Sequence, residues 1–167
     1  MVKAKKNKGF TLVELLVVIS VLAVLSSLLI SNLNNARVQA RDTQRKSDFS
    51  QIKKALQLYF NDYGGIYPAN SGNQIAGCGA DGTSACNWGG FFGHDTTDYY
   101  YMKLLPTDPL DAAPYQYQYT RTANTSYCLQ TTLENEADKD ILASQNKCSA
   151  CEPAAGFGTA EYVVCED

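Results

Sequence analysis

The sequence predicts an α+β fold in which one long N-terminal helix packs on a small head that contains an antiparallel sheet. The first observation is that residues 10–63 contain no proline or glycine, so that one helix can run through the whole stretch. The second is that this helix has two halves: an almost wholly apolar one that could be transmembrane, and an amphipathic one. The third is that residues 115–134 alternate in the way that strands do.

Charge is distributed unevenly along the 167 residues. Residues 1–8 carry four lysines and no acid, and residues 37–61 carry six basic residues against two acids. Residues 62–167 carry 14 acids against four basic residues, so a basic stem precedes an acidic head although the net charge is only −3. Since phosphate groups bind to basic surfaces, we expect no direct binding of nucleic acid by the head.

Residues 10–30 form the most apolar segment of the chain and are predicted to be the transmembrane helix. Sixteen of these 21 residues are apolar, and as a helix they cover about 31 Å, close to the thickness of a bilayer core. A cleaved secretory signal would have a shorter apolar region with small residues after it, and none follow Ile30. The small residue is Gly9, which precedes the apolar run, so residues 1–9 are predicted to be a removable leader.

Glu14 places a carboxylate inside this apolar segment. An acid at bilayer depth costs about 2.5 to 3.5 kcal/mol or more, which makes it a functional candidate with a cationic partner to be found. A cut after Gly9 would create an amine on Phe10, one helical turn from the carboxylate. Processing would therefore supply a cation close to the buried anion.

The stretch KGFTLVE at residues 8–14, with the apolar run behind it, resembles the class III signal of type IV prepilins and of type II secretion pseudopilins. The resemblance implies that a prepilin peptidase cleaves after Gly9 and that the new N-terminal residue, Phe10, is methylated. It also implies that Glu14 pairs with the N-terminal amine of a neighbouring subunit during filament assembly.

The same resemblance implies a type IV pilin-like fold and a structural role in a type IV pilus-like filament. The expected partners are the prepilin peptidase, the membrane, other pilin subunits including copies of this chain, and the pilus assembly platform with its ATPase. The chain is expected to cross the cytoplasmic membrane once, with its N-terminus in the cytoplasm and its head outside, before it enters an extracellular filament. Two alternatives stay open: a pseudopilin of a type II secretion system, and a membrane-anchored extracytoplasmic binding domain that does not polymerise.

Residues 31–63 are predicted to continue the helix as a stem that runs into the head. One apolar stripe at steps of three and four is expected to pack on the head, and it consists of Phe49, Ile52, Leu56, Tyr59 and Tyr63. Residues 31–48 lack such a stripe and are expected to project. Their basic face is expected to be solvated or to dock on an acidic surface of an adjacent subunit, and it consists of Arg37, Arg41 and Arg45. The glycine pair at 64–65 is expected to end the helix.

Residues 64–167 are predicted to form the globular head. Frequent glycine and turn signals make residues 64–114 a mostly irregular region. An antiparallel hairpin is predicted with its strands at residues 115–120 and 127–134 and a turn between them. A third strand is predicted at residues 161–165.

The head carries all six cysteines of the chain, which predicts disulfides formed in an oxidising compartment. They are Cys78, Cys86, Cys128, Cys148, Cys151 and Cys165. Six cysteines allow 15 pairings, of which the sequence favours only one local pair, Cys78 with Cys86, across a flexible loop. The C-x-x-C at 148–151 has no second C-x-x-C to complete a zinc site, and the chain has one histidine.

We expect no cofactor and no enzymatic activity. The sequence has no G-x-S-x-G elbow, no H-E-x-x-H motif and no phosphate-binding glycine loop. An acidic run could bind Ca²⁺ weakly, through Glu134, Glu136, Asp138 and Asp140, but its spacing is not that of an EF-hand. A solvated acidic loop is the preferred interpretation of this run.

Overall fold

The structure is a computed structural model that describes residues 9–94, 99–153 and 156–166, except for the side chains of residues 28–32. It divides into two units, residues 1–38 and residues 39–167, and each is described by itself. The leader predicted at residues 1–9 lies outside the described residues apart from Gly9.

Helix α1 spans Leu12–Asp62, so the long N-terminal helix is confirmed. In the first unit its described apolar side chains are exposed on every face of the helix, from Leu12 to Leu25. No helix in the described part of the chain combines the length and the apolarity that a bilayer crossing needs. The last three positions of the span predicted at residues 10–30 have side chains outside the described residues.

In the second unit α1 packs its predicted apolar stripe into the core of the head. Phe49, Ile52 and Leu56 are fully buried, whereas Tyr63 at the end of the stripe is 40% exposed. The helix ends where the sequence predicts, because Gly64 and Gly65 both adopt the positive φ angles that glycine tolerates.

Residues 64–114 are mostly irregular but include short strands that the sequence analysis does not predict. They contain five short strands: β1 (Asn70–Ser71), β2 (Gln74–Cys78), β3 (Ser84–Ala85), β4 (Phe92–His94) and β5 (Tyr99–Met102). Strands β1, β2 and β3 form one antiparallel sheet, and β4 and β5 form another. Only 16 of the 47 described residues of this region lie in these strands, so the prediction of a mostly irregular region is confirmed. The strands themselves are not predicted, because they are too short for an alternating pattern to stand out and turn residues separate them.

The main sheet is the predicted hairpin with its third strand. Strand β6 (Gln118–Ala123) pairs with β7 (Ser126–Thr132), and β7 pairs with β8 (Glu161–Cys165), all antiparallel. The third strand has the predicted bounds, whereas the first begins at Gln118 rather than at Tyr115. This sheet and the apolar stripe of α1 share one core, in which the sheet buries the side chains of Tyr119, Tyr127 and Leu129.

Between β7 and β8 lies helix α2 (Lys139–Lys147), which the sequence analysis does not predict. Asp138 caps it, since its side chain accepts a hydrogen bond from the backbone N–H of Asp140. A short 3₁₀ turn at Ser149–Cys151 follows and carries the C-x-x-C cysteines into a small second core.

The six cysteines form three disulfides: Cys78–Cys86, Cys128–Cys151 and Cys148–Cys165. The first is the local pair that the sequence favours. In the other two, Cys128 and Cys165 lie opposite each other on β7 and β8, and each binds one cysteine of the 148–151 turn. This turn is therefore joined to two adjacent strands of the main sheet.

Candidate functional site

The predicted processing site lies in irregular chain just before α1. Gly9 and Phe10 both precede the first helical residue, Leu12, and Phe10 is 78% exposed. A side chain added at Gly9 would meet no heavy atom of the described residues within 4 Å. Within the described part of the chain, both residues that flank the predicted cut are therefore exposed.

Glu14 lies in the first turn of α1 and forms a capping box with Thr11. Thr11 donates two hydrogen bonds to Oε2 of Glu14, from its backbone N–H at 3.0 Å and from its hydroxyl at 2.8 Å. In return, the backbone N–H of Glu14 donates to the hydroxyl oxygen of Thr11 at 3.2 Å. These bonds satisfy N–H groups that have no partner inside the helix, and they fix the orientation of the carboxylate.

The sequence analysis identifies Glu14 but misses Thr11. The signal was available, because a threonine three residues before a glutamate at the start of an apolar helix is the sequence pattern of a capping box. The structure thus adds a residue that positions the predicted assembly carboxylate.

The second unit contains a buried charge cluster that the sequence analysis does not predict. The guanidinium of Arg45 is fully buried, and it donates to both carboxylate oxygens of Asp108, from Nε at 2.7 Å and from Nη2 at 2.9 Å. Its Nη1 donates to Asp42 at 2.6 Å and to Glu134 at 2.9 Å. One arginine of α1 therefore joins the helix to two distant segments of the head.

Arg41 and Asp42 extend this cluster along α1. Arg41 donates from Nε and Nη2 to the two carboxylate oxygens of Glu134. Asp42 accepts the backbone N–H groups of Glu134 and Asn135, each at 3.0 Å. The chain that leaves β7 is thus fixed to α1 by both its side chain and its backbone.

These contacts correct two predictions about the stem. Residues 42, 45 and 48 are buried, so the helix from residue 39 onward belongs to the head and does not project from it. Arg41 and Arg45 bind acids of their own chain, so the prediction of a solvated or intersubunit basic face is wrong for both. The physical reason is that this part of the helix buries charges in pairs rather than apolar groups.

The acidic run at residues 134–140 is also not a solvated loop. Lys46 donates to both oxygens of Asp138, at 2.8 and 2.7 Å, and to Asp140 at 2.7 Å. Of the four weak calcium candidates, Glu134, Asp138 and Asp140 therefore have side-chain cations as partners, and Glu136 is exposed. Across the described ranges no group of three or more His, Cys, Asp or Glu is arranged to hold a metal ion.

Two carboxylates of the second unit have pKa values shifted in opposite directions. Hydrogen bonds from Arg41 lower the pKa of Glu134, and bonds from Arg45 add to this effect against the opposing effect of burial. Burial raises the pKa of Asp48, although the Tyr117 hydroxyl donates to this carboxylate at 2.8 Å and partly offsets the shift.

Most aromatic residues that could serve a ligand-binding domain pack inside the head. Trp88 meets Tyr117 edge to face at a centroid distance of 5.8 Å, and Tyr101 packs in the same way on Tyr59. Tyr99 is about half exposed, and its hydroxyl donates to Asp62 at 2.8 Å. Core packing therefore accounts for Trp88 and Tyr101, whereas Tyr99 lies at the surface.

Comparison with known proteins places the N-terminal region in a defined family. Residues 4–30 match the prokaryotic N-terminal methylation motif. Over 55 residues the chain is 44% identical to the type IV wide pilus major component PilA4 of Thermus thermophilus, a stretch that covers 33% of this chain and 42% of that protein. Over 54 residues it is 39% identical to the type II secretion system core protein G of Escherichia coli, which covers 32% of this chain and 37% of that protein.

A longer similarity extends into the head. Over 114 residues the chain is 31% identical to the type II secretion system core protein G of Pseudomonas aeruginosa, and this stretch covers 68% of this chain and 74% of that protein. No solved structure matches the chain significantly. With the methylation motif at its N-terminus and a relative matched over about three quarters of that protein's length, the chain belongs to the family of type IV pilins and type II secretion pseudopilins.

Proposed function

We propose that this chain is a structural subunit that is cleaved after Gly9, methylated on Phe10 and then polymerised into a type IV pilus-like filament. The observation that carries the proposal is the methylation motif at residues 4–30, which coincides with an exposed Gly9–Phe10 junction and a fixed carboxylate at Glu14. The role is structural rather than catalytic and requires no cofactor.

The chemistry of assembly follows from the charges that processing creates. Cleavage leaves an ammonium group on Phe10 at the start of an apolar helix that carries the Glu14 carboxylate. Thr11 occupies Oε2 of Glu14, which leaves Oε1 to receive the ammonium group of another copy. Burial of either charge without a partner costs several kcal/mol, so the pairing selects one register between neighbouring helices.

The apolar surface of α1 has to be kept out of water both before and after assembly. The described apolar side chains from Leu12 to Leu25 are roughly half exposed or more, on all faces of the helix. Each square ångström of such surface removed from water stabilises the buried state by about 25 cal/mol. Lipid covers this surface before assembly, and the helices of neighbouring copies cover it in the filament.

The proposal includes a route through the cytoplasmic membrane. Residues 10–30 anchor the chain with the N-terminus in the cytoplasm and the head outside, where disulfides such as Cys78–Cys86 can form. A prepilin peptidase removes the leader, and an assembly platform with its ATPase extracts the processed subunit into the extracellular filament. The acidic head is not expected to bind nucleic acid directly.

The second candidate is a pseudopilin of a type II secretion system. It is favoured by the longer of the similarities, which reaches 114 residues of this chain and includes much of the head. Deletion of the gene would distinguish the two candidates. If the chain is a pilin, cells that lack it lose long surface filaments. If the chain is a pseudopilin, such cells keep those filaments and fail to release exported proteins.

The experiment that tests the proposed function is mass spectrometry of the N-terminus, on protein from membranes and from sheared filaments separately. We expect the filament fraction to begin at methylated Phe10. An intact N-terminus found only in membranes would contradict the proposal and favour a membrane-anchored binding domain that does not polymerise.

A further inference from the structure

A pocket of about 260 Å³ lies in the second unit beside the C-terminal end of α1. Helix α1 contributes Tyr59 to its wall, and the chain that follows the helix contributes Tyr63 and Ile66. Strand β2 contributes Ala76, and β6 contributes Arg121. We call this surface the tyrosine–arginine pocket.

Tyr59 brings a deeply buried phenol to this pocket. The residue is 7% exposed, and its ring stacks on that of Tyr63 at a centroid distance of 4.1 Å. The hydroxyl of Tyr63 shares a hydrogen bond with Nε2 of His94 at 2.6 Å, whereas the hydroxyl of Tyr59 forms no hydrogen bond with any residue that the structure describes. Buried phenol hydroxyls normally have a partner, so this one is available to a group that enters the pocket.

Arg121 brings a positive charge to the same pocket. It forms no ion pair with the described residues, and its one side-chain hydrogen bond among them runs from Nη1 to the backbone oxygen of Tyr67 at 3.0 Å. Nε and Nη2 thus stay available as a fork, and Arg45 binds Asp108 through the same two nitrogens elsewhere in this chain. Burial raises the pKa of the Tyr59 phenol and the charge of Arg121 opposes this shift, so the guanidinium lies near that hydroxyl.

Most of the remaining lining is apolar. Ile66, Ala69 and Ala76 present no polar side-chain atom, and Tyr63 and Ile66 are each 40% exposed. Arg121 is the one charged residue among the described residues that line the pocket. The volume lies below the roughly 300 to 1,000 Å³ of pockets for drug-sized ligands, so a matching ligand is small. These features suit an anion with a single charge and an apolar body.

We propose that the tyrosine–arginine pocket binds a small monocarboxylate with an apolar body the size of one aromatic ring. The carboxylate accepts two parallel hydrogen bonds from Arg121 and a third from the hydroxyl of Tyr59, and the apolar body packs against Ile66 and Ala76. A phosphate dianion fits less well, because it brings a second charge that the lining does not neutralise and no apolar surface. The proposal goes beyond the structural role in a filament and does not depend on it.

Titration of the full chain in detergent with sodium benzoate tests this site, because benzoate carries one carboxylate on one aromatic ring. We expect a saturable change in the side-chain Nε–Hε NMR signal of Arg121 and in the backbone amide signal of Ala76. Benzamide has the same shape without the charge and is expected to bind at least about tenfold more weakly. The absence of a saturable change with benzoate would overturn the proposal, and so would equal affinity for benzamide.

Substitutions test the two groups that hold the carboxylate. Tyr59→Phe removes only the hydroxyl and keeps the stacked ring, so we expect an unchanged melting temperature and an affinity for benzoate that is lower by about three- to tenfold. Arg121→Gln removes the charge but keeps an N–H group for the backbone oxygen of Tyr67, and it is expected to lower the affinity by more than about tenfold. The matched control is Lys103→Gln, which removes the same charge at an exposed position outside the pocket and is expected to bind benzoate like wild type.

Each result of these variants has one interpretation. Wild-type affinity in either Tyr59→Phe or Arg121→Gln overturns the proposal, and so does an equal loss in Lys103→Gln, which would show a general effect of net charge. A loss confined to the two pocket variants supports it. Because the titration uses dispersed subunits, failure of the proposed function, seen as an uncleaved N-terminus in the wild-type chain, leaves this result unaffected.

Discussion

Arg45 and Asp108 are 63 residues apart in sequence, and two parallel hydrogen bonds join them with neither side chain exposed to solvent. The bidentate geometry matches the planar guanidinium to both carboxylate oxygens. Arg45 also binds Asp42 and Glu134, so one side chain fixes α1 to the Asp108 turn and to the chain that leaves β7. A buried ion cluster of this kind is weak evidence of net stability, but the loss of one partner leaves the other charges uncompensated.

We therefore expect Arg45→Ala to lower the free energy of unfolding by about 3 to 5 kcal/mol. The substitution removes the cation from three carboxylates, of which Asp42 and Asp108 are buried. Urea denaturation of the full chain in detergent, followed by circular dichroism, measures the change. The neighbouring Gln44 is exposed, so Gln44→Ala is the control and is expected to change stability by no more than about 0.5 kcal/mol. A loss below about 1 kcal/mol for Arg45→Ala would show that the cluster relaxes without its arginine.

The apolar stripe of α1 could be predicted from the sequence, whereas the charge cluster could not. Phe49, Ile52 and Leu56 repeat at helical spacing, and this period indicates the buried face of an amphipathic helix. Arg45 continues the same face one turn earlier, but its charge made the segment look solvated. Its burial depends on Asp108 and Glu134, which lie on distant segments whose approach only the folded chain reveals.

The same limit applies to the cysteines and to α2. The sequence establishes an even number of cysteines and one short loop, and this favours only Cys78–Cys86. The remaining pairings depend on the placement of the 148–151 turn beside β7 and β8. Helix α2 has a single fully buried residue, Ile141, so its apolar period is too weak to predict a helix from the sequence.

Glu134→Gln is expected to reduce stability at neutral pH and to have little effect in acid. The Arg41 hydrogen bonds lower the pKa of Glu134 below its ordinary value of 4.5. The Glu134 carboxyl thus binds a proton less tightly in the folded state than in the unfolded state. Its contribution to the free energy of unfolding is therefore complete above pH 4.5 and is lost as the pH falls through the lowered pKa. We expect a difference of about 1.5 to 3 kcal/mol at pH 7, measured by urea denaturation across the pH range. A difference that does not shrink below pH 4.5 would assign the effect to packing rather than to charge.

Asp48→Asn is expected to show the opposite pH dependence. Burial raises the pKa of Asp48 above its ordinary value of 3.8, so the wild-type chain loses stability as the pH rises from 3.8 through the raised value. An asparagine keeps an oxygen that can accept the Tyr117 hydroxyl and has no charge to bury. The variant should therefore gain stability relative to wild type between pH 3 and pH 7 in the same denaturation series. A relative loss over this interval would show that the ionised carboxylate is favoured in the folded state.

Removal of a disulfide should destabilise the head more when the loop that it closes is longer. The entropy of loop closure predicts a loss of about 2.5 kcal/mol for Cys78→Ala with Cys86→Ala, whose cysteines are eight residues apart. For Cys128→Ala with Cys151→Ala, with a separation of 23 residues, it predicts about 3.5 kcal/mol. Urea denaturation of both variants, beside wild type with and without a reductant, measures these losses. Equal stability of reduced and oxidised wild-type protein would contradict the prediction.

Thr11→Val is expected to weaken assembly by releasing the carboxylate that the capping box orients. Valine has the shape of threonine but lacks the hydroxyl, which donates to Glu14 at 2.8 Å and accepts its backbone N–H at 3.2 Å. The loss of a cap costs about 1 kcal/mol at the start of the helix, so we expect a several-fold lower filament yield with normal cleavage after Gly9.

Glu14→Ala removes the carboxylate itself and should abolish or severely lower assembly while membrane insertion and cleavage remain normal. Thr11→Ser keeps the hydroxyl and should assemble like wild type, so the capping role predicts the order serine, valine, then Glu14→Ala in sheared yield. If the serine variant fails as badly as the valine variant, the methyl group of Thr11 matters through packing and the hydrogen bond does not position Glu14.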